Sequence, residues 1–136
     1  MALIELTNAE LLKDLTTVET VDTFFDLHNE YICTNIDYKS SDKTLFFLFE
    51  PNKNDAAKNN LYLLFENATI ANLNFYINKT ADSSTLDSFY RGRYQIEDAL
   101  FEYAPTGEGY FYLEFMEGDA FECFAGKVTL SEKTRI

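Results

Sequence analysis

Apolar and polar positions change their period along this chain, and the change predicts where its elements lie. Near the start, Leu11, Leu12 and Leu15 follow Asn8 at helical spacing. An Asn placed there can accept from the free N–H groups of a first turn, which predicts a short helix over residues 8–15. Val21, Phe24 and Phe25 repeat the spacing and predict a second helical turn or two over 20–27.

From Tyr31 the period becomes two. Leu45, Phe47 and Phe49 alternate with Phe46 and Leu48, so this strand is apolar on both faces. Such a strand belongs in the middle of a sheet or beneath a helix. Leu61-Tyr62-Leu63-Leu64-Phe65 is a second of the same kind, and 68–77 a third strand with Asn72 and Asn74 between its apolar positions. After a further strand-like stretch over 94–103, Pro105-Thr106-Gly107-Glu108-Gly109 has turn chemistry. Phe111, Leu113 and Phe115 then alternate with Tyr112, Glu114 and Met116, and Gly118-Asp119 reads as a two-residue hairpin turn. Phe121, Cys123 and Ala125 share one parity, whereas Val128 and Leu130 take the other. Gly126 sits at the slip and predicts a β-bulge. The fold class expected is α+β, mostly β: one or two short N-terminal helices, then an antiparallel β-sandwich or strongly curved sheet of about seven strands, all in a single domain spanning 1–136.

Composition narrows the function. The chain has 136 residues, 46 % of them hydrophobic and 16 % aromatic, enough to bury a core and too much for a disordered chain. No apolar run approaches a membrane span. The first six residues contain no basic group, so no secretory signal is expected and the cytoplasm is the expected compartment. Cys33 and Cys123, 90 positions apart, are expected to be reduced and buried.

Twenty-three acids against 11 bases give a net charge of −12, which disfavours direct nucleic-acid binding and docking on anionic membranes. The charge is also uneven. Residues 1–38 hold eight acids and one base, residues 39–93 six acids and seven bases. Residues 94–126 hold eight acids and no base. A base-free stretch interleaved with tyrosines fits a surface that meets a basic protein, carboxylates steering the encounter and tyrosines anchoring it. The expected contact residues are Glu102, Glu108, Tyr110, Tyr112, Glu114, Glu117, Asp119 and Glu122. The plainer reading of the same acids is solubility.

Candidate chemistry is sparse. Asp26, His28 and Glu30 are two apart and would share a face on a strand, but the helical pattern before them scatters them, which favours a surface or turn histidine. Glu97 with Asp98, and Glu114 with Glu122, could form carboxylate pairs, yet acid-rich strands give such pairs by chance. Arg91-Gly92-Arg93, flanked by Tyr90 and Tyr94, is the one dense basic spot; it either bridges to acids of a neighbouring strand or holds an anion. No motif calls for a cofactor, a metal or catalysis. Abundant Phe and Tyr leave a second class open, a small ligand-binding β-module with an apolar cavity.

The stretch Leu27-His28-Asn29-Glu30-Tyr31-Ile32, with Ile36-Asp37-Tyr38, the strand over 43–50 and Phe65-Glu66-Asn67-Ala68, resembles small acidic immunity proteins of bacterial polymorphic-toxin systems. Asn29 stands where that pattern has Asp, and Ala68 where it has a larger aliphatic residue. The resemblance implies a cytoplasmic, non-catalytic protein that binds a cognate toxin, often a basic nuclease, and blocks its active site. No catalytic residues carry over from it.

Overall fold

A computed structural model of the chain describes residues 3–52, 58–74, 85–116 and 118–133. Among them every regular element is a strand: β1 (Leu3–Glu5), β2 (Thr17–Glu19), β3 (Phe24–Asp26), β4 (Tyr31–Lys39), β5 (Thr44–Pro51), β6 (Asn60–Glu66), β7 (Thr69–Asn74), β8 (Leu86–Arg91), β9 (Tyr94–Ile96), β10 (Ala99–Phe101), β11 (Gly109–Phe115), β12 (Ala120–Ala125) and β13 (Lys127–Lys133).

The α+β expectation is therefore overturned: the described residues are all-β, and neither N-terminal helix exists. One physical reason is local and the other comes from a distant strand. Six of the eight residues from Thr16 to Thr23 are β-branched, which favours extended backbone. They form β2 and the turn into β3, where the Thr20 amide donates to the Thr23 carbonyl at 2.7 Å. The face that helical spacing would have buried is split, with Val21 102 % and Phe24 55 % exposed while Phe25 points the other way into the core. Residues 8–15 instead run beside β8. The Leu12 and Leu15 amides donate to the Arg91 and Phe89 carbonyls at 2.7 and 2.6 Å, and Asp14 bridges Tyr90. Completing a sheet edge satisfies backbone groups that an isolated eight-residue helix, marginal in water, could not.

The strands build two antiparallel sheets, one ordered β1-β13-β6-β5-β4 and the other β7-β12-β11-β8, with two ribbons, β2-β3 and β9-β10. The apolar faces of the sheets meet through phenylalanine rings. Phe47 of β5 lies 5.4 Å from Phe121 and 6.1 Å from Phe115. Phe65 of β6 lies 5.7 Å from Phe111 and 6.1 Å from Phe89. The two strands apolar on both faces are the centre of the five-stranded sheet. Leu45, Phe47, Phe49, Leu61, Leu63 and Phe65 point inward and are fully buried, while Phe46, Leu48, Tyr62 and Leu64 are half-buried on the outer face.

Gly126 is not a bulge within one strand, because β12 and β13 belong to different sheets. The chain crosses between sheets there, beside a second crossing at Asn67 that joins β6 to β7. Asn67 takes a left-handed φ of 52°, and a Cβ on Gly126 would sit 3.3 Å from the Asn67 Cβ. The turn after β11 is also longer than two residues: it runs from Met116 to Asp119, Gly118 supplying a φ of 98° and the Phe115 amide donating to the Asp119 carbonyl at 2.8 Å. Cys33 and Cys123 are both buried.

Candidate functional site

The outer face of the four-stranded sheet gathers a group of aromatic side chains and two of the eight acids of the base-free stretch. In β11, Phe111, Leu113 and Phe115 face the core, so Tyr110, Tyr112 and Glu114 face outward. In β12 the same alternation sends Glu122 and Phe124 outward. Register then sets neighbours: Tyr112 is opposite Glu122 on β12 and Tyr90 on β8, and Tyr110 is opposite Phe124.

Two aromatic clusters result. Tyr90 and Tyr112 have ring centroids 5.4 Å apart. Tyr94, from the β9-β10 ribbon, leans over the other end of the face, 5.6 Å from Tyr110 and 5.4 Å from Phe124. Tyr110 is only 5 % exposed beneath this lid, and its hydroxyl donates to Glu122 Oε1. Glu122 Oε2 also accepts from Asn72 Nδ2 at 2.8 Å, so two neighbours fix this carboxylate.

Electrostatics keep both phenols neutral. Burial, then the hydrogen bond and charge of Glu122, push Tyr110 well above its ordinary value. Burial, then the charge and hydrogen bond of Glu114, push Tyr112 up to about 12. A neutral tyrosine beside a fixed carboxylate presents a π-face and a negative charge together, and both attract the ammonium or guanidinium of a partner.

The eight expected contact residues do not all gather here. Tyr110, Tyr112, Glu114 and Glu122 share the face. Glu108 lies in the turn before β11, where it accepts from the Thr106 hydroxyl and from Asn67 Nδ2 at 2.7 Å. The Thr106 hydrogen bond, foremost, holds its carboxyl below the usual range. Glu102 follows β10 and faces Arg91 and Arg93 at 3.9 and 3.8 Å. Asp119 is 0 % exposed in the turn after β11, so it is part of that turn and not of the surface. Glu117 lies outside the described residues. Sequence reasoning missed Tyr90, Tyr94, Phe124 and Asn72 as members of the face. Phe124 shares parity with Glu122 and was detectable; Asn72 and Tyr90 needed the register of β7 and β8.

The other candidates have structural roles. His28 Nδ1 donates to the Leu86 carbonyl at 2.6 Å, pinning the turn before β4 to the start of β8. Asp26 accepts from the His28 and Asn29 amides at 3.2 and 3.0 Å. Burial pushes the Asp26 carboxyl up, but those amides and the Asn29 side chain outweigh it and hold it below its ordinary value. Glu30 pairs with Lys58 at 3.0 Å. Among the described residues no group of three His, Cys, Asp or Glu could hold a metal ion. Glu97 and Asp98 form the tip of the β9-β10 ribbon.

Two surface grooves stand out, both open to solvent. One of about 380 Å³ is lined by the N-terminal segment, including Leu6, Leu15 and Val18. The other, about 460 Å³, is lined by Arg93, Leu100, Phe101, Glu102 and Tyr103. Among the described residues no helix is long and apolar enough to cross a membrane. No family model matches the chain, and no curated protein or solved structure matches it either.

Proposed function

We propose that this chain is a non-catalytic binding protein that docks a basic protein partner on the outer face of its four-stranded sheet, in the manner of an immunity protein that neutralises a toxin nuclease in the bacterial cytoplasm. One observation carries the reading: Tyr90, Tyr112, Glu114 and Glu122, with Tyr94 and Phe124, lie together on one face built largely from a segment of 33 residues without a Lys or Arg. Aromatic anchors surrounded by carboxylates of a single sign are the composition expected of a surface that meets cations. Blocking follows from the same chemistry. Lys and Arg that a nuclease uses against phosphates would pair with Glu114 and Glu122 instead, and the bulk of the sheet would cover the cleft.

The test first reads the neighbouring genes for a toxin nuclease domain, whose absence counts against the reading, and then pairs this protein with that domain. Association is measured for the natural chain and for a Glu114→Lys/Glu122→Lys variant across a range of salt. Loss of steering should slow the variant's association by about tenfold or more and flatten its salt dependence. An association rate that the double reversal leaves unchanged refutes this face as the interface.

A further inference from the structure

Arg91 is 5 % exposed, yet its guanidinium is poorly satisfied. Its buried Nε has no hydrogen-bond partner among the described residues. Nη1 reaches the Ala9 carbonyl only at 3.4 Å. Nη2 stands 3.9 Å from Glu102 Oε1, and the opposite oxygen of Glu102 stands 3.8 Å from Arg93 Nη2. Charge-assisted bonds of this type close to about 2.8 Å, so Glu102 faces two guanidiniums and bonds to neither. Burial of an arginine with five donors and one long bond is costly, and calls for an anion that fits better.

The surroundings say which anion. The groove that Arg93 and Glu102 line is walled by Leu100, Phe101 and Tyr103, which are 59 %, 44 % and 49 % exposed. The Tyr103 ring also packs against the Arg91 guanidinium at 5.1 Å. The β9-β10 ribbon pairs only with itself among the described strands, and although Tyr94 packs on the outer face, Leu100 and Phe101 stay open to solvent. A polyanion is disfavoured by the −12 charge of the chain, but a single carboxylate meets two cations here against one resident acid.

We infer that this groove binds an apolar group carrying one carboxylate, which takes the place between Arg91 and Arg93 that Glu102 now occupies at a distance. The half-exposed Glu102 turns outward to solvent, and the ligand's apolar part lies along Leu100, Phe101 and Tyr103. The site is separate from the tyrosine-rich outer face and does not depend on the function proposed for it. A free short-chain acid and the C-terminus of an apolar peptide share this chemistry.

Titration of the intact, isotope-labelled chain decides the matter by NMR. The probes are hexanoate and N-acetyl-leucyl-phenylalanine, each against its amide counterpart, with sulfate as a bare anion. Acids should shift the Arg91, Arg93, Leu100 and Tyr103 signals with dissociation constants of about 1 mM or below, the amides about tenfold more weakly. The acid that binds more tightly identifies the source as a free acid or a chain end. Arg93→Gln should weaken the acids by about tenfold, whereas Glu102→Gln, which removes the competitor while keeping its shape, should tighten them by about threefold. Both side chains are surface-accessible, and each variant is first checked for an unchanged spectrum elsewhere. No response to either acid, acid and amide binding alike, sulfate matching the acids, or weaker binding in Glu102→Gln each overturns the assignment.

Discussion

Phe46 and Phe47 are adjacent, identical in chemistry and opposite in fate, so truncating each in turn tests which side of the five-stranded sheet is the interior. Phe47 is 0 % exposed and touches three rings, Phe121 at 5.4 Å, Phe65 at 5.8 Å and Phe115 at 6.1 Å. Two of those rings belong to the facing sheet, so Phe47→Ala opens a void where the sheets meet. Its cost should be about 3–5 kcal/mol, transfer and cavity together. Phe46 is half-buried on the outer face and has one ring neighbour among the described residues, Tyr62 at 5.4 Å. Phe46→Ala leaves water rather than a cavity, and should cost about 1–1.5 kcal/mol. A domain of this length has a stability of order 10 kcal/mol, so both variants stay folded. With a urea slope near ~1.5 kcal/mol/M, the midpoint should fall by about 2–3 M for Phe47→Ala and by under ~1 M for Phe46→Ala. Equal shifts would refute the reasoning, because Phe46 would then be packed as tightly as Phe47 and the outer face would not be open.

Alkaline stability tests the tyrosine-rich face. Because Tyr112 is pushed from an ordinary 10.0 up to about 12, the folded state keeps a proton that the unfolded chain loses first. The contribution is complete below the unfolded value and is lost as pH rises toward the folded one. Urea midpoints should therefore decline from about pH 10 to 12, less steeply in Tyr112→Phe, and a flat profile would count against the burial of that phenol. His28→Ala removes the bond to the Leu86 carbonyl and should lower stability by about 1 kcal/mol. If His28 were instead a metal ligand, adding zinc would raise the melting temperature of the natural chain and leave that of the variant alone.

How much of this was legible beforehand depends on whether a residue's fate is set by near or distant neighbours. The inward sets of β5, β6, β11 and β12 follow from period-two alternation alone, and the positions of the central strands follow from their two apolar faces. Residues 8–27 misled because leucine spacing resembles a helix, while one deciding factor was remote, the open edge of β8, and the other was local but outweighed in the reading, the β-branched run that favours a ribbon. The slip in parity at Gly126 was visible, but one strand's pattern cannot distinguish a bulge from a passage to another sheet. On the outer face, Tyr112, Glu114 and Glu122 could be read from their own strands. Tyr90 and Asn72 could not, since only register brings them there. Asp119 looked like any turn acid, and its burial depends on how the turn folds over.

The order of the five-stranded sheet also governs how the chain can reach this structure. β1 pairs with β13, and β13 lies between β1 and β6. Its register with β6 joins Lys127 to Glu66 and Lys133 to Asn60, partners more than sixty residues apart in sequence. No length of chain that stops before residue 127 can seat β1 or cover the flank of β6. During synthesis β4, β5 and β6 can form a three-stranded meander early, but its open edge must wait until both crossings, at Asn67 and at Gly126, are in place. Long-range pairing of this kind slows folding and leaves apolar edges open meanwhile. A nascent chain of this protein is therefore vulnerable to aggregation and proteolysis until residues 127–133 emerge, and the segment that ends that vulnerability is the last strand described.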